Sequence, residues 1–475
     1  MTNKVDILEI PRGLVVAPAG CGKTQLLADA LARHEGSKPI LVLTHTHAGV
    51  AALRWRLNGS GVPKANYRLA TIDGWAMGLI KMFPERSGHA PGVVGSKPNY
   101  RAIREAACNL LKAGHLSEIL KASYARLLVD EYQDCSIRQH AIVYYASRLI
   151  PTCVVGDEMQ AIFGFGDDPL AKWNEHVVSH FSIVDELAKP WRWINAQAEP
   201  LGDWLLDVRR KLLAGDPIDL GDTPEWVTWI RLDGSARDHE RRLKAGRFKA
   251  PTKGGTVAII GEATSPPSQR RFASQTPGAV TVESVDLRDL VSFAGGFDIT
   301  SPGALQEAAE FAQAVMTNIG AADLVSRVGV LRRGRARKQA SSLERAALAF
   351  EDYRTYDKLL ELVVEMNRTG GVRAHRPDVL RAWMAALREC AASQETTLPA
   401  AVVRQREQNR LHGRKLPGRA VGSTLLLKGL EADVVVILDA ERLNAKNLYV
   451  ALTRGSRRVV VCSRSRVLNP QSRGR

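Results

Sequence analysis

The apolar positions of this chain come in short dense runs separated by helical patterns, not in a long alternating comb. Leu14-Val15-Val16 leads into Ala17-Pro18-Ala19-Gly20-Cys21-Gly22-Lys23-Thr24, and Gln25 to Leu31 then reads as a helix. Pro39 to His47 is an apolar run too short for a helix and rich in β-branched residues, which predicts a buried parallel strand. A helix over Ala48 to Leu57 follows, ended by Asn58-Gly59. Tyr67 to Trp75 repeats the passage from strand to polar loop. Arg126 to Glu131 is an apolar strand closing on two carboxylates, and Cys153 to Gln160 is another strand that runs into polar residues. Strand and helix signals in alternation predict an α/β fold with a doubly wound sheet.

The pattern lapses between Phe83 and Ser123, where Pro84, Pro91 and Pro98 break the chain and Tyr100 to Ala113 reads as an amphipathic helix. This predicts a small insertion. Farther on, Glu225 to Ile230, Thr256 to Ile260, Val434 to Leu438 and Arg458 to Cys462 read as strands of a second sheet. Strands so widely split imply an insertion between them, and Ser292 to His412 supplies it, with helical patterns at 305–319, 343–366 and 377–392.

Composition narrows the partners. The 475 residues are too many for one core and suggest about three domains, or two with insertions. Lys and Arg number 66 against 50 Asp and Glu, a net charge of +16 that attracts polyanions, nucleic acid first among them. Two basic clusters, Arg332 to Lys338 and Arg404 to Arg419 (with Arg410, Arg414 and Lys415), suit phosphate contacts, a solvated linker or an acidic partner protein equally well. The six cysteines are scattered with no zinc spacing, which implies a reduced compartment. No segment reaches the ~18 to 20 apolar residues of a membrane span, so a cytoplasmic protein with no membrane partner is expected.

The candidate chemistry begins at the glycine-rich turn. Gly20 and Gly22 let backbone N–H groups converge, the helix N-terminus adds its dipole, Lys23 can reach β- and γ-phosphates, and the Thr24 hydroxyl can hold Mg²⁺. Ala17 occupies the position of the pattern's usual first glycine. Asp130 at a strand end suits Mg²⁺, and Glu131 can orient or deprotonate an attacking water. Phe163 and Phe165, spaced by glycine on a loop, suit stacking on bases, although packing at a domain interface would account for them too.

In this order the motifs resemble superfamily 1 helicases of the UvrD, PcrA and Rep type. Ala17 to Thr24 resembles the family's Walker A, Thr44-His45-Thr46 its motif Ia, Asp130-Glu131-Tyr132-Gln133-Asp134 its DExQD motif, and Gly156 to Phe165 its motif III. Pro190-Trp191-Arg192 stands where the family has Asn-Tyr-Arg, and Leu427 to Glu431 and Leu448 to Arg454 are similar to motifs V and VI. The resemblance implies ATP and Mg²⁺ as cofactors. Ala17, Gly20, Cys21, Gly22, Lys23, Thr24, Gln25, Trp191 and Glu431 are then the nucleotide-binding residues, and Thr24 and Asp130 hold the metal. Catalytic roles fall to Glu131, Gln160 and the arginine fingers Arg192 and Arg454, and DNA contacts to Thr44, His45, Trp75, Phe163 and Phe165. Asp73 stands where the family has the motif Ib histidine, and Leu425-Leu426 stand for the His-Ser of motif V.

The fold implied is two RecA-like P-loop domains with parallel sheets, each carrying a small helical insertion. The first takes 1–82 and 125–189 with insertion 83–124, and the second takes 190–291 and 413–475 with insertion 292–412. The implied function is an ATP-dependent, 3′-to-5′ helicase or translocase on DNA that is single-stranded or has single-stranded ends. The short insertions also resemble the UvrD-like subunit, GajB, of the Gabija phage-defence pair. That likeness implies a nuclease partner of the overcoming-lysogenisation type, and an alternative role as a nucleotide-hydrolysing sensor of DNA ends or state that docks on the nuclease and unwinds little.

Overall fold

In the computed structural model the described residues are 5–89, 98–164, 168–393, 395–411 and 416–470. They form two compact units, one of Met1–Trp229, Ala440–Val459 and Ser465–Arg475, the other of Ile230–Asp439 and Val460–Arg464. Phe165, Arg414 and Lys415 lie outside the described residues. No helix among those described is long and apolar enough to cross a membrane.

The first unit is built on six parallel strands: β1 (Arg12–Val16), β2 (Ile40–Thr44), β3 (Tyr67–Thr71), β4 (Leu127–Val129), β5 (Thr152–Gly156) and β6 (Ile183–Glu186). Their order is β3-β2-β4-β5-β1-β6, and every pair is parallel. Side chains alternate between two cores because a strand repeats every two residues. Leu14, Val16, Leu41 and Leu43 join the core on one face, and Val15, Ile40 and Val42 join the core on the other. This is why the runs read as continuously apolar. The C-terminal ends of β1, β4 and β5 point to one edge, where Gly20, Asp130 and Asp157 follow them. A doubly wound sheet binds ligands at that edge.

Helices α1 (Lys23–Ala32) and α2 (His47–Gly59) carry residues of one core, and α3 (Ile72–Met82) carries residues of the other. The polar loop expected through Trp75 is instead this third helix. Thr71 caps it by accepting a hydrogen bond from the Gly74 N–H at 2.9 Å, so strand passes directly into helix. The expected insertion contributes the Tyr100–Lys112 helix, whose Ile103, Ala106, Leu110 and Leu111 join the same core as α3. Arg104 of that helix donates to Asp73 of α3 at 2.7 and 2.6 Å and to Asp168 at 2.8 Å.

A second sheet runs in the order Val280–Thr281, Arg419–Gly422, Val257–Ile260, Ala432–Ile437, Gly455–Ser463, Val227–Arg231. The four strands read from the sequence are all present. A separate helical core over 287–402 contains Phe350, Leu362, Trp383 and Leu387. The pattern at 343–366 is two helices, Ser342–Tyr353 and Tyr356–Arg368, not one. Arg354 breaks it in the left-handed region (φ 48°), with its guanidinium donating to the Thr300 and Ser301 carbonyls. The α/β class with two six-stranded sheets stands as expected from sequence. The compact units, however, group 190–229 and 440–459 with the glycine-rich loop, because the side chains there bond to it directly.

Candidate nucleotide site

Between β1 and α1 the chain turns on two glycines that no other residue would replace easily. Gly20 has φ +73° and Gly22 φ +93°, conformations that L side chains rarely adopt. A Cβ on Gly20 would lie 2.5 Å from the Trp193 ring, and one on Gly22 3.1 Å from Trp191. Trp191 and Trp193 therefore pack against the loop itself. The loop is tied to the sheet by the Ala17 N–H donating to the Gly156 carbonyl at 2.8 Å. Cys21 is buried, its thiol pushed up to about 12 by burial and then by Asp157, so it is a packing residue and not a nucleophile.

At the mouth of the loop, Lys23 Nζ lies 2.5 Å from Glu131 Oε1 and 3.6 Å from Asp130 Oδ1. Burial opposes the Lys23 charge, but the Glu131 and Asp130 carboxylates outweigh it and hold the ammonium above the ordinary lysine value. For Asp130 burial dominates and raises the pKa against the pull of Lys23. Glu131 sits in the left-handed region (φ 53°), which turns it back toward the loop. Its backbone N–H donates to Asp130 Oδ1 at 2.9 Å, and Gln133 Nε2 donates to its carboxylate. One cation thus bridges two carboxylates where a phosphate and its metal would divide them.

The next layer is Asp157, fully buried. It accepts from Gln160 Nε2 at 3.0 Å and from Arg209 at 3.0 Å, and its own N–H donates to Gln133 Oε1 at 3.1 Å. Gln160 Nε2 also lies 3.5 Å from the Ala17 carbonyl, which places this side chain beside the loop.

The two expected arginine fingers belong to the same compact unit as Lys23. The Arg192 N–H donates to the Gly20 carbonyl at 3.0 Å, and its Nη1 donates to the Thr453 carbonyl at 2.6 Å. Arg454 is 3% exposed and folds back on its own helix, with Nε donating to the Val450 carbonyl at 2.9 Å. Trp193 Nε1 donates to the Gly455 carbonyl at 2.9 Å, and the Ala19 N–H donates to the Tyr449 hydroxyl at 3.0 Å. Residues 430 apart in sequence are thereby joined at the glycine-rich turn.

The remaining expected residues scatter. Trp191 lies against the loop with Lys189 Nζ 4.1 Å from its ring centroid. Thr24 opens α1, and Gln25 hydrogen-bonds Asp29 along that helix at 2.7 Å. Glu431 is exposed and belongs to the second unit. Among the expected DNA contacts, the His45 and Phe163 rings meet at 5.6 Å, and His45 Nδ1 is 3.2 Å from Gln139 Oε1. Thr44 is buried, its hydroxyl without a hydrogen-bond partner among the described residues. Trp75 is only 7% exposed and packs in the core of α3, because position 75 falls on the helix's inward face, so it offers no ring to a base.

Sequence reasoning missed Gln133, Trp193, Arg209 and Tyr449. Gln133 and Tyr449 lie inside stretches already singled out, and a hydroxyl within the buried run Leu448 to Leu452 was the available signal for Tyr449. Nothing local marked Arg209, since only folding brings it to Asp157.

The metal can be tested against this donor set. Among the described residues no group of three or more His, Cys, Asp or Glu could hold a metal by itself. A Thr hydroxyl and one carboxylate beside a glycine-rich turn fit Mg²⁺, which takes few protein ligands and completes its shell with water or other oxygens.

Residues 97–168 match the family model of the UvrD/REP helicase N-terminal domain. No curated protein matches the chain. Two solved structures of the arterivirus nonstructural protein 10 helicase are similar over 96% of this chain. The complex with DNA has 10% identity and a TM-score of 0.35, and the other structure has 12% identity and a TM-score of 0.31. The chain spans 62% and 61% of the length of those two chains.

Proposed function

We propose that the chain is a UvrD-type motor that hydrolyses ATP with Mg²⁺ and moves on single-stranded DNA. The observation that carries this reading is the cluster of Lys23, Asp130 and Glu131 at the mouth of a turn held open by Gly20 and Gly22. The match at 97–168 to a helicase domain supports it, as does the net charge of +16. Phosphate binding gives Lys23 a new counter-charge and releases Glu131, which then accepts a proton from the attacking water. Thr24 and Asp130 would hold Mg²⁺, which supplies neutralisation of phosphate charge. Gln160, beside Ala17, reads the terminal phosphate. Arg192 is already hung on Gly20 and Thr453, and Arg454 reaches the phosphate by leaving the Val450 carbonyl. Trp191 supplies the ring for the base, and Phe163 with His45 supplies an aromatic surface for DNA bases.

Replacing Lys23 by Ala should abolish phosphate release while leaving the circular dichroism spectrum unchanged. Retained turnover in the folded variant would remove the site assignment. A strand-displacement assay separates a motor from a sensor that hydrolyses without unwinding.

A further inference from the structure

Arg209 lies in the Glu199–Ala214 helix, outside every stretch the chemistry above uses, yet it is 6% exposed. A guanidinium is not buried without partners, and this one has two carboxylates. Its Nε and Nη2 both lie 3.0 Å from Asp157 Oδ1, and its Nη1 donates to Glu186 at 2.7 Å. Asp157 is 0% exposed, and its second oxygen, Oδ2, accepts from Gln160 Nε2 at 3.0 Å. The two oxygens of one carboxylate are thus divided: Oδ1 takes the arginine together with the Met159 N–H at 3.2 Å, and Oδ2 takes the glutamine. The backbone of the same residue reaches Glu131 by way of Gln133, from the Asp157 N–H to Gln133 Oε1 and from Gln133 Nε2 to the Glu131 carboxylate.

We propose that Arg209 is a positioning residue for hydrolysis: by fixing Asp157 Oδ1 it aims Oδ2 at Gln160 and holds that carboxamide beside the phosphate-binding loop. The inference rests on the nucleotide-site reading above and goes beyond it by adding a residue that touches no substrate. Two guanidinium nitrogens on one oxygen fix where Oδ1 lies and supply the counter-charge, which leaves Oδ2 for Gln160. Lysine in its place would keep the charge and lose the two-nitrogen grip. Without the cation, the fully buried Asp157 carboxylate loses its counter-charge and no longer holds its place, and Gln160 loses its anchor.

The test is a double-mutant cycle on steady-state ATP hydrolysis with Arg209→Gln and Gln160→Ala. With Gln160 present, Arg209→Gln should lower kcat by about tenfold or more and leave KM for ATP within about twofold. Arg209→Lys should recover part of the loss. In the Gln160→Ala background the same Arg209→Gln change should cost little further kcat. Equal losses in both backgrounds would mean that Arg209 acts through general structure, and would overturn the proposal. If Arg209→Gln fails to fold, Arg209→Lys replaces it in the cycle, since it keeps a cation beside Asp157 and Glu186. Its kcat loss should likewise vanish when Gln160 is absent. Wild-type protein that hydrolyses no ATP would defeat the site reading itself; active wild type with an uncoupled cycle would defeat this inference alone.

Discussion

A single methyl group at position 20 would meet two obstacles at once, the left-handed backbone and the Trp193 ring 2.5 Å away. Gly20→Ala is therefore expected to lower stability by about 2 kcal/mol or more and to abolish nucleotide binding. Urea unfolding and nucleotide titration check both, and an unchanged midpoint would contradict the packing described. Tyr449 makes a subtler case. Its buried hydroxyl accepts the Ala19 N–H, so Tyr449→Phe removes one oxygen, leaves the ring in place and strands a buried donor, at a cost of about 1–3 kcal/mol. The residues of the glycine-rich turn and the Asp130-Glu131 pair were legible in the sequence because each motif carries its own geometry. The helix through Trp75 was not legible, because Tyr67 to Trp75 reads as a strand running into a polar loop until the Thr71 cap turns the following residues into helix.

At the scale of elements, β1, β2, β4 and β5 were legible because both of their faces are buried, whereas the edge strand β6, exposed along most of its length, was not read. A short, unbroken apolar run bounded by turn residues fits a strand covered on both sides and little else. The insertion helix at 100–112 was legible from its amphipathic pattern, but its attachment was not, since no local signal pairs Arg104 with Asp73 and Asp168. That attachment is testable. Arg104→Ala should destabilise the protein by about 2 kcal/mol, because both carboxylates are largely shielded and lose a shared cation. Arg101, three residues away, pairs with Glu105 in solvent, and Arg101→Ala should cost less than about 0.5 kcal/mol. Equal effects in urea titrations would contradict the structural difference between the two pairs. The break at Arg354 was hidden for a related reason: nothing in 343–366 reveals that carbonyls near residue 300 will capture its guanidinium.

Across the whole molecule, each compact unit holds a buried histidine whose pKa is lowered to about 4. For His140 the causes are burial, then His180 and His176; for His375 they are burial, then Arg376, Arg373 and Arg270. Both imidazoles are neutral when folded and become protonated on unfolding below the ordinary value of 6.5. Their contribution to stability is therefore complete above pH 6.5 and is lost as the pH falls toward 4. Urea midpoints measured at about pH 7.5 and about pH 5 should show a loss of a few kcal/mol at the lower pH, and a midpoint that rises would contradict it. The charge of +16 acts at the same scale: it favours polyanions, and under the proposed reading salt should weaken binding to nucleic acid. The central claim is that nucleotide chemistry at Lys23 serves a nucleic-acid strand. The most direct measurement is the rate of ATP hydrolysis as a single-stranded DNA oligonucleotide is titrated in. A saturable rise in rate, absent in Lys23→Ala, is the predicted result, whereas a wild-type rate that stays flat across the titration would contradict the account.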